Sequence, residues 1–306
     1  MRALTAVALM AVTTLMLPAA IRAQQSDDRS QCFGPAGVSP EQRLESCTAV
    51  IKSGGQTPQG LVAAFNSRGN AHLNSRNYDR AIDDYNEAIR LDPKYAIGFN
   101  NRGLAYQRKG QFDRAIEDYD QAIRLNPTYA LAFANRANAR RNKGRIDLAI
   151  EDSNRAIGLN RSLAAGFFAR ADAYRDKSQW DFDAYLADGA YEDRAIADYD
   201  EGIRLSPSNA TAFLNRGLLY TRRQKYDRAI QDFDEAIRLD PNIAAAFSGR
   251  AFALRFVGQY ERAIADYRKT LTLPLDDTSR KQIDKMLKQL GAAPEREATP
   301  TVATRR

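Results

Sequence analysis

The sequence predicts an all-α protein in which helical hairpins stack along one elongated core. Three observations carry that prediction. Phenylalanines recur at a 34-residue step, at Phe65, Phe99, Phe133 and Phe167, and after a longer gap at Phe213 and Phe247. Alanines follow in the same register, at Ala81, Ala115, Ala149, Ala195, Ala229 and Ala263. Prolines close the steps at Pro93, Pro127, Pro207 and Pro241. A fixed period of this size marks a repeat array, so 306 residues need not divide into two globular domains.

The elements follow in chain order. Residues 1–23 read as a secretory signal peptide: Arg2 supplies the positive start, Ala3 to Leu17 is apolar apart from three threonines, and Ala20 and Ala23 offer small residues for cleavage. The run is short for a bilayer span of about 20 residues; an uncleaved anchor is the alternative. Removal of Arg2 and Arg22 takes the formal charge from +7 to +5. Export, to the periplasm or another secretory route, makes a Cys32–Cys47 disulfide the natural reading of the two cysteines; a buried Cys47 thiol beside a free Cys32 is the alternative. Within the N-terminal segment 24–61, residues 40–53 place Leu44, Cys47, Val50 and Ile51 at helical spacing, as a lone capping helix on the first repeat.

In each repeat a segment such as AIDDYNEAI (81–89) puts Ala81, Tyr85, Ala88 and Ile89 on one helical face. Small alanines let helices approach, and aromatics fill the space between repeats. The LDP and LNP tripeptides end the second helix, because proline disfavours the α conformation at the residue before it. The period and its Phe, Ala and Pro positions resemble the tetratricopeptide repeat, a helix-turn-helix unit. The resemblance implies a right-handed superhelical solenoid of six units over residues 62–277: 62–95, 96–129, 130–163, 164–209, 210–243 and 244–277. The third unit departs most, with Ser153 at the aromatic position, Gly158 late in its second helix and Arg161 for proline. The fourth carries an insertion at 182–193, FDAYLADGAYED, read as a turn extension or as an aromatic-acidic contact finger. Residues 278–291 form a C-terminal capping helix, opened by Thr278 or Ser279, with Ile283, Met286, Leu287 and Leu290 on one stripe. The tail 292–306 lacks apolar periodicity and is expected to be disordered.

Two charges recur in all six units. First helices carry Arg68, Arg102, Arg136, Arg170, Arg216 and Arg250; second helices carry Asp84, Asp118, Asp152, Asp198, Asp232 and Asp266. The arginine stands where the family pattern usually has an inward apolar residue. An unpaired charge there costs several kcal/mol, so a structural Arg–Asp ladder within or between units is expected. A less regular row of amides includes Asn66, Asn70, Asn101, Asn135 and Asn215. It looks like the asparagine ladder in the repeat domain of O-GlcNAc transferase, which implies a concave groove that holds an extended peptide backbone; the alternative is solvation of an exposed face. Asparagine offers a donor and an acceptor, which suits a peptide group. Further along the same helices lie Arg108, Arg141, Arg175, Arg222 and Arg255, which would make the groove basic and favour an acidic partner. The carboxylate clamp of the family's chaperone adaptors maps onto Asn66, Asn70, Asn101, Leu131 and Asn135; its cations are missing, so a strict clamp is rejected.

One histidine and two cysteines exclude a zinc cluster or a catalytic Cys-His set built from several such residues. His72 stands where other units carry Tyr106 or Tyr174 and reads as a packing residue. No phosphate loop or hydrolase motif occurs, and no carboxylate pair stands apart from the repeat. The expectation is therefore a non-enzymatic binding scaffold with no cofactor or metal, no nucleic acid partner, and no membrane span once the leader is removed. Its partner is a protein or peptide segment in the concave groove. The alternative is a structural or assembly subunit of an envelope complex, docking through the convex face, the insertion or the C-terminal helix.

Overall fold

The computed structural model describes residues 19–34, 37–180 and 189–292. Most of the expected leader, residues 182–188 of the insertion and all but the first position of the tail lie outside the described residues. The fold is all-helical, with fifteen helices among those residues. They fall into two compact units that divide between Gln111 and Phe112.

The first unit contains α1 (Ala19–Phe33), α2 (Pro40–Lys52), α3 (Pro58–Asn74), α4 (Tyr78–Leu91) and α5 (Ala96–Arg108). The N-terminal element is a helix pair, which corrects the expectation of a lone capping helix: α1 packs on both α2 and α3. The sequence of α1 has little amphipathic contrast, so periodicity did not reveal it. A disulfide joins Cys32 to Cys47, and both are fully buried with Val50 and Ala64. Arg43 reinforces this crossing by donating from Nη1 to the Cys32 carbonyl at 2.9 Å and from Nη2 to that of Gly34 at 3.2 Å. Helix α2 opens with a capping box, in which Ser39 Oγ accepts from the Gln42 amide and Gln42 Oε1 accepts from the Ser39 amide.

The second unit contains α6 (Phe112–Leu125), α7 (Ala130–Asn142), α8 (Ile146–Leu159), α9 (Ala164–Trp180), α10 (Ala190–Leu205), α11 (Ala210–Arg222), α12 (Tyr226–Leu239), α13 (Ala244–Phe256), α14 (Tyr260–Leu271) and α15 (Asp277–Gln289). Within this unit each helix packs on its chain neighbours, and α7 with α9 and α11 with α13 also touch as successive first helices. Part of the insertion is helical, since Ala190–Asp193 form the first turn of α10. The final helix is capped by Asp276, whose Oδ1 accepts from the Ser279 amide at 2.9 Å. That moves the expected cap upstream from Thr278 or Ser279; a carboxylate is the stronger acceptor and also favours the positive end of the helix dipole.

The connections have a local logic. The turn inside a hairpin needs a left-handed residue, supplied by Gly110, Gly144 and Gly258. Arg76 and Gln224 hold the same position with φ of 59° and 55°. Between hairpins, Asp92, Asn126, Asn160 and Asp240 each accept from the amide two residues on, at 2.9–3.1 Å. Asn160 keeps this turn and an extended backbone although Arg161 replaces proline. The Asx side chain, and not proline alone, therefore ends the second helix.

Close packing depends on glycine facing an aromatic ring. Tyr85 is fully buried under Gly69, where a Cβ would stand 2.6 Å from the ring. Phe233 is likewise buried between Gly217 and Gly249, whose added Cβ atoms would stand 2.9 and 2.7 Å away. In the third repeat Ser153 takes the aromatic position; it is buried and its Oγ donates to the Ala149 carbonyl at 2.8 Å.

Candidate functional site

The arginines of the regular ladder are forks with three tines. Arg136 on α7 donates from Nε and Nη2 to Asp152 at 2.9 and 2.6 Å, and from Nη1 to Asp120 of the preceding repeat at 2.6 Å. Arg216 does the same with Asp232 and Asp200, and Arg250 with Asp266 and Asp234. Arg170 pairs with Asp198 and reaches Asn154. In the first unit Arg68 grips Asp84 and reaches Thr48, while Nη1 of Arg102 donates to Asn86 at 2.7 Å. Asp118 belongs to the second unit and is buried there. Each guanidinium also lies 5.3–5.9 Å from the ring of the phenylalanine three residues before it. Burial works against the Arg216 charge, but Asp232 and Asp200 hold its pKa above the ordinary value. The sequence reading named one acceptor per arginine. The second, two residues after each ladder aspartate, was visible as a recurrent Asn or Asp at 86, 120, 154, 200 and 234.

The amide row has partners of its own. In the first unit Asn101 Nδ2 donates to Asn66 Oδ1 at 2.9 Å and to Asn70 Oδ1 at 3.3 Å, and Asn70 also accepts from the Tyr85 hydroxyl at 2.7 Å. Asn100 is buried and donates to Asn101 Oδ1. In the second unit Asn135 is half-buried on α7, and Asn215 Nδ2 donates to Asp172 Oδ1 at 3.1 Å. Asp172 also accepts from the Tyr199 hydroxyl and pairs with Arg175. Burial, followed by the Asp172 charge, holds the Tyr199 hydroxyl well above its usual range, so it stays a neutral donor.

The five arginines expected to line a basic groove occupy two adjacent register positions. Arg108 and Arg222 align with Asn142, Asp176 and Phe256; Arg141, Arg175 and Arg255 align with Gln107 and Thr221. Three of them are paired with carboxylates: Arg141 with Asp176 at 2.7 Å, Arg175 with Asp176 at 2.9 Å, and Arg222 with Glu192 at 2.9 Å. Their positive charge is therefore largely offset. Arg108 is exposed at the end of α5. Arg255 differs again: its guanidinium lies 5.2 and 5.1 Å from the rings of Phe252 and Phe256, and Nη1 sits 3.4 Å from Met286 Sδ.

This arginine belongs to an aromatic platform that the sequence reading did not single out. Phe256 stacks on Tyr226 with centroids 4.8 Å apart and meets Phe252 at 4.9 Å. Phe256 is still 51% exposed, and Leu218 on α11 is 39% exposed. The available signal was register: positions 218, 222, 252 and 256 repeat the polar Asn70, Asn74, Asn138 and Asn142, with apolar residues at three of the four. Among the described residues no group of His, Cys, Asp and Glu is arranged to hold a metal ion, and no helix is long and apolar enough to cross a membrane.

Comparison with known proteins gives a consistent picture. Models described as tetratricopeptide repeat match residues 96–129, 210–243 and 118–151. A further model, described as TPR repeat, matches 69–110 and 183–222. No curated protein matches. Among solved structures, a thermophilic TPR protein of Thermus thermophilus is 22% identical over 63% of this chain and 99% of its own, with a TM-score of 0.53. A tetratricopeptide repeat protein from Parabacteroides merdae is 18% identical over 81% of this chain and 92% of its own, at 0.58. The APC/C hetero-tetramer Cut9-Hcn1 is 17% identical over 84% of this chain, at 0.67, but this chain spans only 49% of the matched chain. At these identities the likeness concerns the fold.

Proposed function

The chain is a tetratricopeptide repeat protein, and from that premise we propose that it binds an extended partner segment along the first-helix face of its second unit. Tetratricopeptide arrays serve generally as protein-interaction scaffolds, and their repeats carry no catalytic machinery. The observation that supports a defined site is the Phe252–Phe256–Tyr226 platform with Arg255 across its rings. Exposed aromatic and arginine residues are the side chains that most often dominate binding energy. An apolar partner side chain would lie on Phe256 and Leu218, and a neighbouring carboxylate would meet the guanidinium edge of Arg255. The amides add little until a partner displaces them from Asp172 or from one another, since each hydrogen bond contributes only about 1 kcal/mol net. Export belongs to the same proposal; the leader-like start and the Cys32–Cys47 bridge support it.

The test is selection of peptides from a displayed random library on the purified protein, followed by fluorescence anisotropy. Phe256→Ala should weaken the selected peptides about tenfold or more, and Arg255→Gln should flatten the salt dependence. Unchanged affinity in both variants would reject this face. Binding would then pass to the alternative reading, docking through the second-helix face, the insertion or α15.

A further inference from the structure

We propose that the first unit holds a phosphate-class oxyanion in an open cavity between α2, α3 and the start of α4. The cavity has a volume of about 600 Å³, and Thr48, Lys52, Arg68, His72 and Arg80 line it, with Glu45 as the carboxylate on its wall. Three cations thus face one space from three helices. Arg68 is committed on one side only. Its Nε and Nη2 hold Asp84, but Nη1 reaches the neutral Thr48 hydroxyl at 3.2 Å. In the other five repeats that third tine meets an Asn or Asp carbonyl or carboxylate oxygen. The N-terminal helix pair therefore leaves Arg68 with a weaker acceptor where an anion can add to it. Lys52 and Arg80 are exposed and enter no ion pair with the described residues.

His72 completes the wall. Its Nε2 is 4.0 Å from Asp84 Oδ2, and its Nδ1 is buried without a hydrogen-bond partner. The groups facing it are Asp84, Arg68 and Arg80, with Lys52 and Glu45 across the cavity on α2. Burial depresses its pKa below the ordinary 6.5; Asp84 pulls the other way, and Arg68 and Arg80 depress it further. An oxyanion among these groups would oppose the two arginines and favour the imidazolium by its charge. The guanidinium and ammonium donors suit a tetrahedral oxyanion, which accepts from several directions at once.

This site can be read directly, because His72 is the one histidine of the chain. In the full-length untagged protein, the ring C–H proton resonance of His72 is titrated with pH with and without inorganic phosphate, at constant ionic strength set with sodium chloride. Phosphate should raise the midpoint by roughly one unit and saturate. A glycerol phosphate arm separates sources: the same shift means the site takes a phosphate ester on a larger molecule, and no shift means it takes the free ion. In Lys52→Gln/Arg80→Gln, with its circular dichroism unchanged, the phosphate-dependent shift should vanish even though the resting midpoint moves up. A shift reproduced by chloride alone, one retained in the double variant, or one given by a poly-glutamate peptide and not by phosphate would overturn the assignment.

Discussion

At the scale of single residues, the ladder arginines Arg136, Arg170, Arg216 and Arg250 each bind two second helices, their own repeat's and the preceding one's. Removing Arg136, Arg216 or Arg250 therefore orphans two carboxylates at once. For Arg216 the consequence is severe, because Asp232 is nearly buried and burial already pushes its carboxyl up. Arg216→Leu should lower stability by about 3 kcal/mol, as expected when one partner of a buried pair is removed. Arg216→Lys should fall between, since an ammonium cannot fork to both acids; urea unfolding midpoints measure both. His72 makes a second prediction. Its folded pKa lies below its unfolded value of about 6.5, so the unfolded chain takes up a proton first as pH falls. The stability it contributes is full above that value and declines as pH drops towards the folded pKa. His72→Tyr, the residue at the matching position of other repeats, should remove that part of the difference between urea midpoints at pH 7.5 and 5.5. The arginine and aspartate ladders were legible because both charges obey the repeat step. The neutralisation of Arg141, Arg175 and Arg222 was not, because their partners Asp176 and Glu192 occur in one repeat and have no periodic echo.

At the scale of elements, the turn inside each hairpin is the clearest lever. Gln224 adopts the left-handed conformation that glycine supplies in three other repeats, at a cost of about 1 kcal/mol for an L residue. Gln224→Gly should raise the thermal midpoint, with a gain of about 0.5–1 kcal/mol after the added unfolded-chain entropy is counted. The N-terminal helix pair depends on its covalent link. Cys32→Ser/Cys47→Ser opens a loop of 15 residues, about 3 kcal/mol in the chain-entropy model. The loss should be local: amide exchange should accelerate in α1 and α2 and stay unchanged in α12. Helix α1 itself escaped the sequence reading for a physical reason. Among its described contacts are the disulfide and Arg43 donating to carbonyls, interactions that leave no hydrophobic period.

At the scale of the whole molecule, stability in a repeat array is a sum of local and nearest-neighbour terms, so it varies along the chain. Within the second unit the third repeat should be the weak stretch. Ser153 replaces the ring that fills the same position as Phe233, and Gly158 lies late in α8. Hydrogen exchange followed by mass spectrometry should find peptides from 146–159 less protected than those from 226–239. Equal protection would mean that the ladder pair Arg136–Asp152, joined there by Arg140 at 2.8 Å, compensates for the missing ring. The stacked-hairpin fold was readable at this scale because 34-residue spacing is a global property. The Phe252–Phe256 pair was not, because these two rings break the repeat instead of repeating.

The three-tined arginine also gives the array a direction and an end. Each fork needs an oxygen acceptor two residues after the preceding ladder aspartate, and five repeats offer one, at Asn86, Asp120, Asn154, Asp200 and Asp234. In the last repeat that position is Arg268. A seventh repeat that carried the same ladder would bring its own arginine against a like charge. The helix that does follow, α15, carries no ladder arginine and packs on α14 as a cap.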